Sequence, residues 1–144
     1  MGHLTIIRGL PGGGKSRLGH RLAEESGALF LEPDQLLTCS GRYCYTPAEF
    51  GRATAIALDI ARRVASLGCD LVYADVLPRR ADVARVAKAC GVAPEDAFVV
   101  VCTVWPEESI ARNRHSVDLR DILLMAAAWQ EWPGQIDARE EGLP

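Results

Sequence analysis

The sequence predicts an α/β domain in which a parallel sheet is covered by helices on both faces. Three observations predict it. Short apolar, β-branched segments alternate with longer segments of helical period; the short segments lack the polar alternation of a half-exposed strand; and a glycine-rich stretch joins the first strand to the first helix. Strands are expected at 4–7, 28–31, 71–74 and 98–104. The first helix, 15–26, carries Leu18, Leu22 and Ala23 on one face and closes at Gly27. The second, 47–67, repeats Phe50, Ala53, Ala57, Ile60, Ala61 and Val64 and closes at Gly68. A third follows Pro78, over 82–90, and stops at Gly91. Pro106 opens a short helix through Arg114, and 118–132 forms another with Leu119, Ile122, Leu123, Met125, Ala126 and Trp129 on one side. The domain therefore spans 1–132, and the Gly/Pro- and acid-rich segment 133–144 reads as a short, loosely held tail.

Composition narrows the class. At 144 residues the chain suits one domain with its own core, and a hydrophobic fraction of 49% with 24% charged residues is that of a soluble globular protein. No apolar run approaches the ~20 residues of a membrane helix, and the chain enters a strand too early for a signal peptide. Five cysteines without a Cys-x-x-Cys pair, and three scattered histidines, signal neither a zinc site nor a disulfide framework. Cys69, Cys90 and Cys102 read as small buried thiols, and the location as cytoplasmic. Residues 1–94 carry +3 and residues 95–144 carry −6, for a net charge of −3. Such a chain is no strongly basic nucleic-acid binder, so any polyanion must be held by local arginines.

The strongest motif is Gly9-Leu10-Pro11-Gly12-Gly13-Gly14-Lys15-Ser16, the full Gly-x4-Gly-Lys-Ser/Thr pattern, placed between strand and helix as its mechanism requires. Glycines let successive backbone N–H groups turn inward onto phosphates, aided by the positive end of the following helix. Lys15 supplies a mobile charge for the β and γ phosphates, and Ser16 a hydroxyl for Mg2+. Residues 9–16 with Arg17 form the expected ATP-binding set.

Two carboxylates should face this loop. Asp75 ends the strand Leu-Val-Tyr-Ala-Asp on the ligand-binding edge of the sheet, as a Mg2+-shell or acceptor ligand, or as a structural cap before Pro78. Asp34, in Leu-Glu-Pro-Asp-Gln-Leu-Leu, lies at the same edge, either as the general base that aims an acceptor hydroxyl or as the N-cap of 35–38. Arg112 and Arg114, late in the helix after the last strand, are candidate lid arginines for the charge of phosphoryl transfer. Arg112 can also pair with Glu108 four residues earlier.

The run Ile-Ile-Arg-Gly-Leu-Pro-Gly-Gly-Gly-Lys-Ser-Arg-Leu, Asp34, the strand ending at Asp75 and Ala111-Arg112-Asn113-Arg114-His115-Ser116-Val117 together resemble the P-loop kinases related to bacteriophage polynucleotide 5'-hydroxyl kinase. That group includes kinase-like domains of ubiquitin-ligase-binding proteins. The resemblance implies a P-loop NTPase three-layer sandwich with four parallel strands in the order 2-3-1-4. It also implies γ-phosphate transfer from ATP to an alcohol, with Asp34 as base, Lys15 and a lid arginine on the phosphates, and Asp75 near the acceptor or metal. Departures fall on the acceptor side. The arginine expected three residues after the base is Leu37, with Arg42 the nearest substitute; Asp75-Val76-Leu77-Pro78 replaces an Asp-Asn-Thr-like turn; and Ser116-Val117-Asp118 replaces Gly-Val-Pro. The expected acceptor is a nucleic acid, at a 5' hydroxyl or a hydroxymethylated base. A small alcohol in a pocket of Leu37, Tyr43, Tyr45 and Phe50, or a nucleotide-binding regulatory module that docks through its tail, are the alternatives.

Overall fold

The computed structural model describes residues 2–39, 42–43, 45–113 and 117–139, with side chains omitted at 38, 39, 42 and 43. In chain order it contains β1 (Leu4–Arg8), α1 (Lys15–Ser26), β2 (Leu29–Leu31), a 3-10 turn (Pro33–Leu36), β3 (Thr38–Cys39), β4 (Arg42–Tyr43) and α2 (Pro47–Ser66). Then follow β5 (Leu71–Asp75), α3 (Arg80–Ala89), a second 3-10 turn (Pro94–Asp96), β6 (Phe98–Val101), α4 (Pro106–Ala111), α5 (Leu119–Ala127) and β7 (Ile136–Asp137). Among the described residues no helix is long and apolar enough to cross a membrane.

The strands pair in parallel in the order β2-β5-β1-β6-β7, while β3 and β4 form a separate antiparallel hairpin. Side-chain alternation explains why both faces are apolar. Leu4 and Ile6 of β1, Leu71 and Tyr73 of β5 and Val99 of β6 point to α2 and α3, where they meet Ala57, Ala61, Val83 and Val86. Ile7, Val72, Ala74 and Val100 point the other way and meet Leu18 and Ala23 of α1. Thr46 caps α2 by accepting from Glu49 N–H at 3.1 Å, and Asp118 caps α5 by accepting from Arg120 N–H at 2.8 Å.

The first four strands in this sheet stand in the expected 2-3-1-4 order. The fifth was not expected. Residues 136–137, read as loose tail, pair with Val100 and Val101, and Ala138 N–H continues the ladder to Val101 O at 2.9 Å with its side chain buried. Two residues of strand carry no period of their own, and their pairing is decided by the free edge of β6. Helix ends also move inward: α4 stops at Ala111 rather than 114, and α5 at Ala127 rather than 132. Past Ala127, tertiary partners take the backbone groups a longer helix would use: Gln130 N–H donates to Pro78 O at 2.7 Å, and Gln130 O accepts from Arg8. The last long strand ends at Val101, because the chain turns after Cys102 into α4. Cys90 and Cys102 are buried as expected, but Cys69 is exposed in the turn that follows Gly68.

Candidate active site

The carboxyl ends of β1, β5 and β2 open onto one edge of the sheet, where the glycine-rich loop lies between β1 and α1. Gly9 must be glycine because a Cβ there would stand 2.6 Å from Cys102 O. Gly12 is constrained twice: its φ is +77°, and a Cβ would meet Arg112 Cβ at 2.7 Å. The loop is tied down by Gly9 N–H to Val76 O at 3.3 Å and Gly13 N–H to Leu10 O at 3.2 Å. Gly14 caps α1 without a side chain, so the first turn presents its amides to an anion.

Lys15 leans back over the loop, its Nζ donating to Leu10 O at 3.1 Å. Burial pulls its pKa below the usual lysine range, against the opposing pull of Asp75, Asp34, Cys102 and Glu32. The three carboxylates named there come from the ends of β2 and β5, and each attracts this one ammonium. Asp75 is 9% exposed, and its Oδ1 accepts from Val76 N–H at 2.7 Å. Burial pushes its pKa up to about 7, opposed first by that hydrogen bond, then reinforced by Asp34 and opposed by Lys15. Asp34 sits half-buried inside the Pro33–Leu36 turn. The cap of that turn is Glu32, not Asp34, with Gln35 Oε1 accepting from Glu32 N–H at 3.3 Å.

Glu32 is the site residue that sequence reasoning missed. Ser16 Oγ donates to its Oε2 at 2.7 Å. Burial raises the Glu32 pKa, while the Ser16 hydrogen bond opposes that rise. Its signal in the sequence was present but unused: it stands two residues before Asp34, directly after β2, in the same edge position. Ser16, Glu32 and Asp75 are oxygen donors only. Among the described residues no group of three His, Cys, Asp or Glu could hold an ion unaided. A hydroxyl and one or two carboxylates suit Mg2+, which keeps several waters and takes phosphate oxygens for the remainder.

Helix α4 is bolted to the loop by Ser109, fully buried, whose Oγ donates to Pro11 O at 2.6 Å. This brings Arg112 beside Gly12. Its guanidinium pairs with Glu108 at 3.3 Å, as the spacing predicts, and Arg139 from beyond β7 reaches the same Glu108 oxygen at 3.3 Å. Asn113 closes the next turn, donating to Val117 O at 2.6 Å and accepting from Val117 N–H at 3.1 Å. Arg114, with His115 and Ser116, lies outside the described residues, as does the side chain of Arg42. Arg17 is exposed on the first turn of α1. Leu37, by contrast, is 3% exposed and belongs to the interior; Tyr45 and Phe50 meet as tilted rings, 5.8 Å between centroids at 46°.

Behind the loop stands Arg8, a fully buried guanidinium at the end of β1. Its Nε and Nη2 both donate to Leu77 O, at 3.0 and 2.6 Å, and Nη2 also to Pro78 O at 3.1 Å. Nη1 reaches Gln130 O at 2.8 Å and Gln135 Oε1 at 3.0 Å, and the group lies 4.1 Å over the Trp129 ring. Burial lowers its pKa to about 10, so it stays charged at neutral pH. Leu77 has φ of +49°, unusual for a non-glycine residue, and its carbonyl is held by two of these bonds. The turn so fixed carries Val76, whose N–H holds Asp75. Arg8 thus aims Asp75 through the 76–78 turn and ties the α5–β7 connection to it.

A family model described as an AAA domain matches residues 4–132. No curated protein matches the chain in sequence. Among solved structures, a candidate kinase from Chloroflexus aurantiacus J-10-fl superposes with a TM-score of 0.72 at 17% identity, covering 95% of this chain and 88% of that one. A gluconokinase from Sinorhizobium meliloti 1021 gives 0.63 at 19% identity, over 94% and 81%. A chain of the Pnkp1/Rnl/Hen1 RNA repair complex gives 0.63 at 16%, over 88% of this chain and 43% of that one. At these identities the likeness is one of fold.

Proposed function

The chain belongs to the AAA domain family matched over residues 4–132, and from that premise we propose that it is an ATP-dependent phosphotransferase acting on an alcohol. The observation that carries the reading is a glycine cradle at one sheet edge whose Ser16 donates to Glu32 at 2.7 Å, with Asp34 and Asp75 at the ends of the neighbouring strands β2 and β5. In this reading the loop amides and Lys15 hold the triphosphate. Asp34 takes the proton of the acceptor hydroxyl as its oxygen bonds to the γ phosphorus. The bond to the β–γ bridging oxygen breaks, and ADP leaves with that electron pair. Ser16, Asp75 and Glu32 would hold Mg2+ directly or through its waters, and when bound the ion neutralises charge on the β and γ oxygens. Arg112, beside Gly12, adds a guanidinium once Glu108 releases it.

For the acceptor, a small uncharged alcohol is favoured. The side chains gathered around Lys15 are carboxylates, which repel a polyanion, and buried Leu37 offers no grip on an acceptor phosphate. A polynucleotide 5' hydroxyl or a hydroxymethylated base in DNA is the second reading, supported by the 111–117 segment and by the fold shared with the RNA repair complex.

Incubation with γ-labelled ATP and Mg2+ against sugars, nucleosides, 5'-hydroxyl DNA and RNA, and hydroxymethylated DNA tests both. Label should pass to a small alcohol, and Asp34→Asn should lower kcat by about 10²-fold or more. Full activity in that variant removes Asp34 as base. An oligonucleotide labelled faster than its nucleoside, in a salt-sensitive way, reverses the order of acceptors. Tight ATP binding with no labelled product points to a regulatory module.

A further inference from the structure

Between α4 and the α5–β7 connection lies a cleft of about 600 Å³ to which the proposed phosphate transfer assigns no role. It reaches Gly9 and Leu10 at the start of the glycine loop, but Lys15, Ser16, Asp34, Asp75 and Arg112 take no part in its walls. Its volume falls within the ~300–1,000 Å³ of small-molecule sites.

The walls have a definite chemistry. Trp105 and Trp129 supply flat aromatic faces, with Leu10 and Val104 beside them. Trp105 is 66% exposed, a large indole left to water at the rim. Trp129 is fixed in place, because Arg8 lies 4.1 Å over its ring and also holds Gln135. The polar groups are acidic or amide: Glu131, Gln135 and Asp137 line the cleft, and among the residues lining it there is no lysine or arginine. Thr103 Oγ1 donates to Asp137 Oδ2 at 2.5 Å, and Gln135 Nε2 donates to Glu131, so these carboxylates are held at the wall rather than swinging free in solvent.

Such walls disfavour phosphates and carboxylates, which would meet two like charges, while the one guanidinium behind the wall, Arg8, is fully buried and spent on carbonyl and amide oxygens and on the Trp129 ring. They favour a flat ring that stacks on indole and presents N–H donors to carboxylate oxygens. We propose that this cleft is a second binding site, for a neutral or cationic planar heterocycle of the nucleobase class, filled while the glycine loop holds its triphosphate. The proposal rests on the reading of the glycine loop as a triphosphate site, with which it shares Gly9 and Leu10, but it uses none of the reacting groups.

The test is calorimetric titration of the full chain, saturated with Mg·AMPPNP, with adenosine, guanosine, cytidine and uridine in turn. At least one nucleoside should bind saturably with unchanged affinity in the presence of AMPPNP, and its 5'-monophosphate should bind about ten-fold more weakly. Trp105→Ala, a rim substitution with little bearing on folding, should weaken the nucleoside about ten-fold or more, and Asp137→Asn should narrow the gap between nucleoside and monophosphate. Displacement of the nucleoside by AMPPNP would make the cleft the base subsite of the triphosphate and overturn the proposal. So would the absence of saturable binding by all four nucleosides, or an affinity that Trp105→Ala leaves unchanged.

Discussion

Asp75→Asn should make the ligand-free protein more stable at neutral pH while it removes function. The carboxyl ends β5, is 9% exposed and has its pKa raised from 3.8 to about 7, chiefly by burial. A carboxyl whose pKa is higher folded than unfolded keeps its proton longer in the native state. Its stabilising effect is therefore full below about pH 4 and is lost as pH climbs through 7. At about 1.4 kcal/mol per pH unit, the span from 3.8 to 7 corresponds to about 4 kcal/mol at pH 8, a net figure that already contains the attraction to Lys15. Asparagine keeps an Oδ1 for Val76 N–H, so the 76–78 turn is preserved. Urea unfolding of both proteins without nucleotide or Mg2+, from pH 4.5 to 8.5, should show near-equal stability at the acid end and a gap in favour of the variant that opens toward pH 7–8. Phosphotransfer by the variant should fall by about 10²-fold or more, the outcome that the proposed place of Asp75 in the metal shell requires. A gap independent of pH, or a variant less stable than the parent at pH 8, would refute the assignment of Asp75 as a buried carboxyl strained by its own charge.

Arg8→Lys keeps the charge but cannot reproduce the fork on Leu77 O or the stack on Trp129, so chemical denaturation should show a loss of about 3 kcal/mol, with altered indole fluorescence. Gly12→Ala places a Cβ at φ +77° and 2.7 Å from Arg112 Cβ; expected are a stability loss of about 1–2 kcal/mol and a larger proportional loss of ATP affinity by calorimetry, as α4 is pushed off the loop. Tyr73→Phe removes a buried hydroxyl that has no hydrogen-bond partner among the described residues, and should leave stability unchanged or raise it by about 1 kcal/mol in the same urea assay.

The glycine loop was legible because its chemistry is local. Eight consecutive residues, preceded by an apolar strand and followed by an amphipathic helix, hold their meaning without reference to the rest of the chain. Asp34 and Asp75 could be placed at the ligand edge for a similar reason: each directly follows or ends a β-rich segment, and parallel strands deliver such residues to one side. The apolar runs likewise announced strands covered on both faces, and the packing of Leu4 and Ile6 against α2 and α3, with Ile7 against α1, follows from their alternation.

Other features depended on partners far away in sequence. Glu32 became a site residue only when β2 stood next to β5 and brought it to Ser16. Arg8 read as the polar end of a strand, yet its acceptors lie 69 to 127 residues away, and a buried guanidinium satisfied by backbone carbonyls leaves no pattern of charges to find. β7, two residues in a Gly/Pro- and acid-rich stretch, exists because β6 offers an unpaired edge there. The sequence alone determined the phosphate cradle and the layered α/β plan, since both follow from local spacing and side-chain alternation. Tertiary structure alone decided which carboxylates meet Lys15, how Arg8 aims Asp75 and where the sheet ends, because each is a pairing between segments whose separation in the chain carries no local signal.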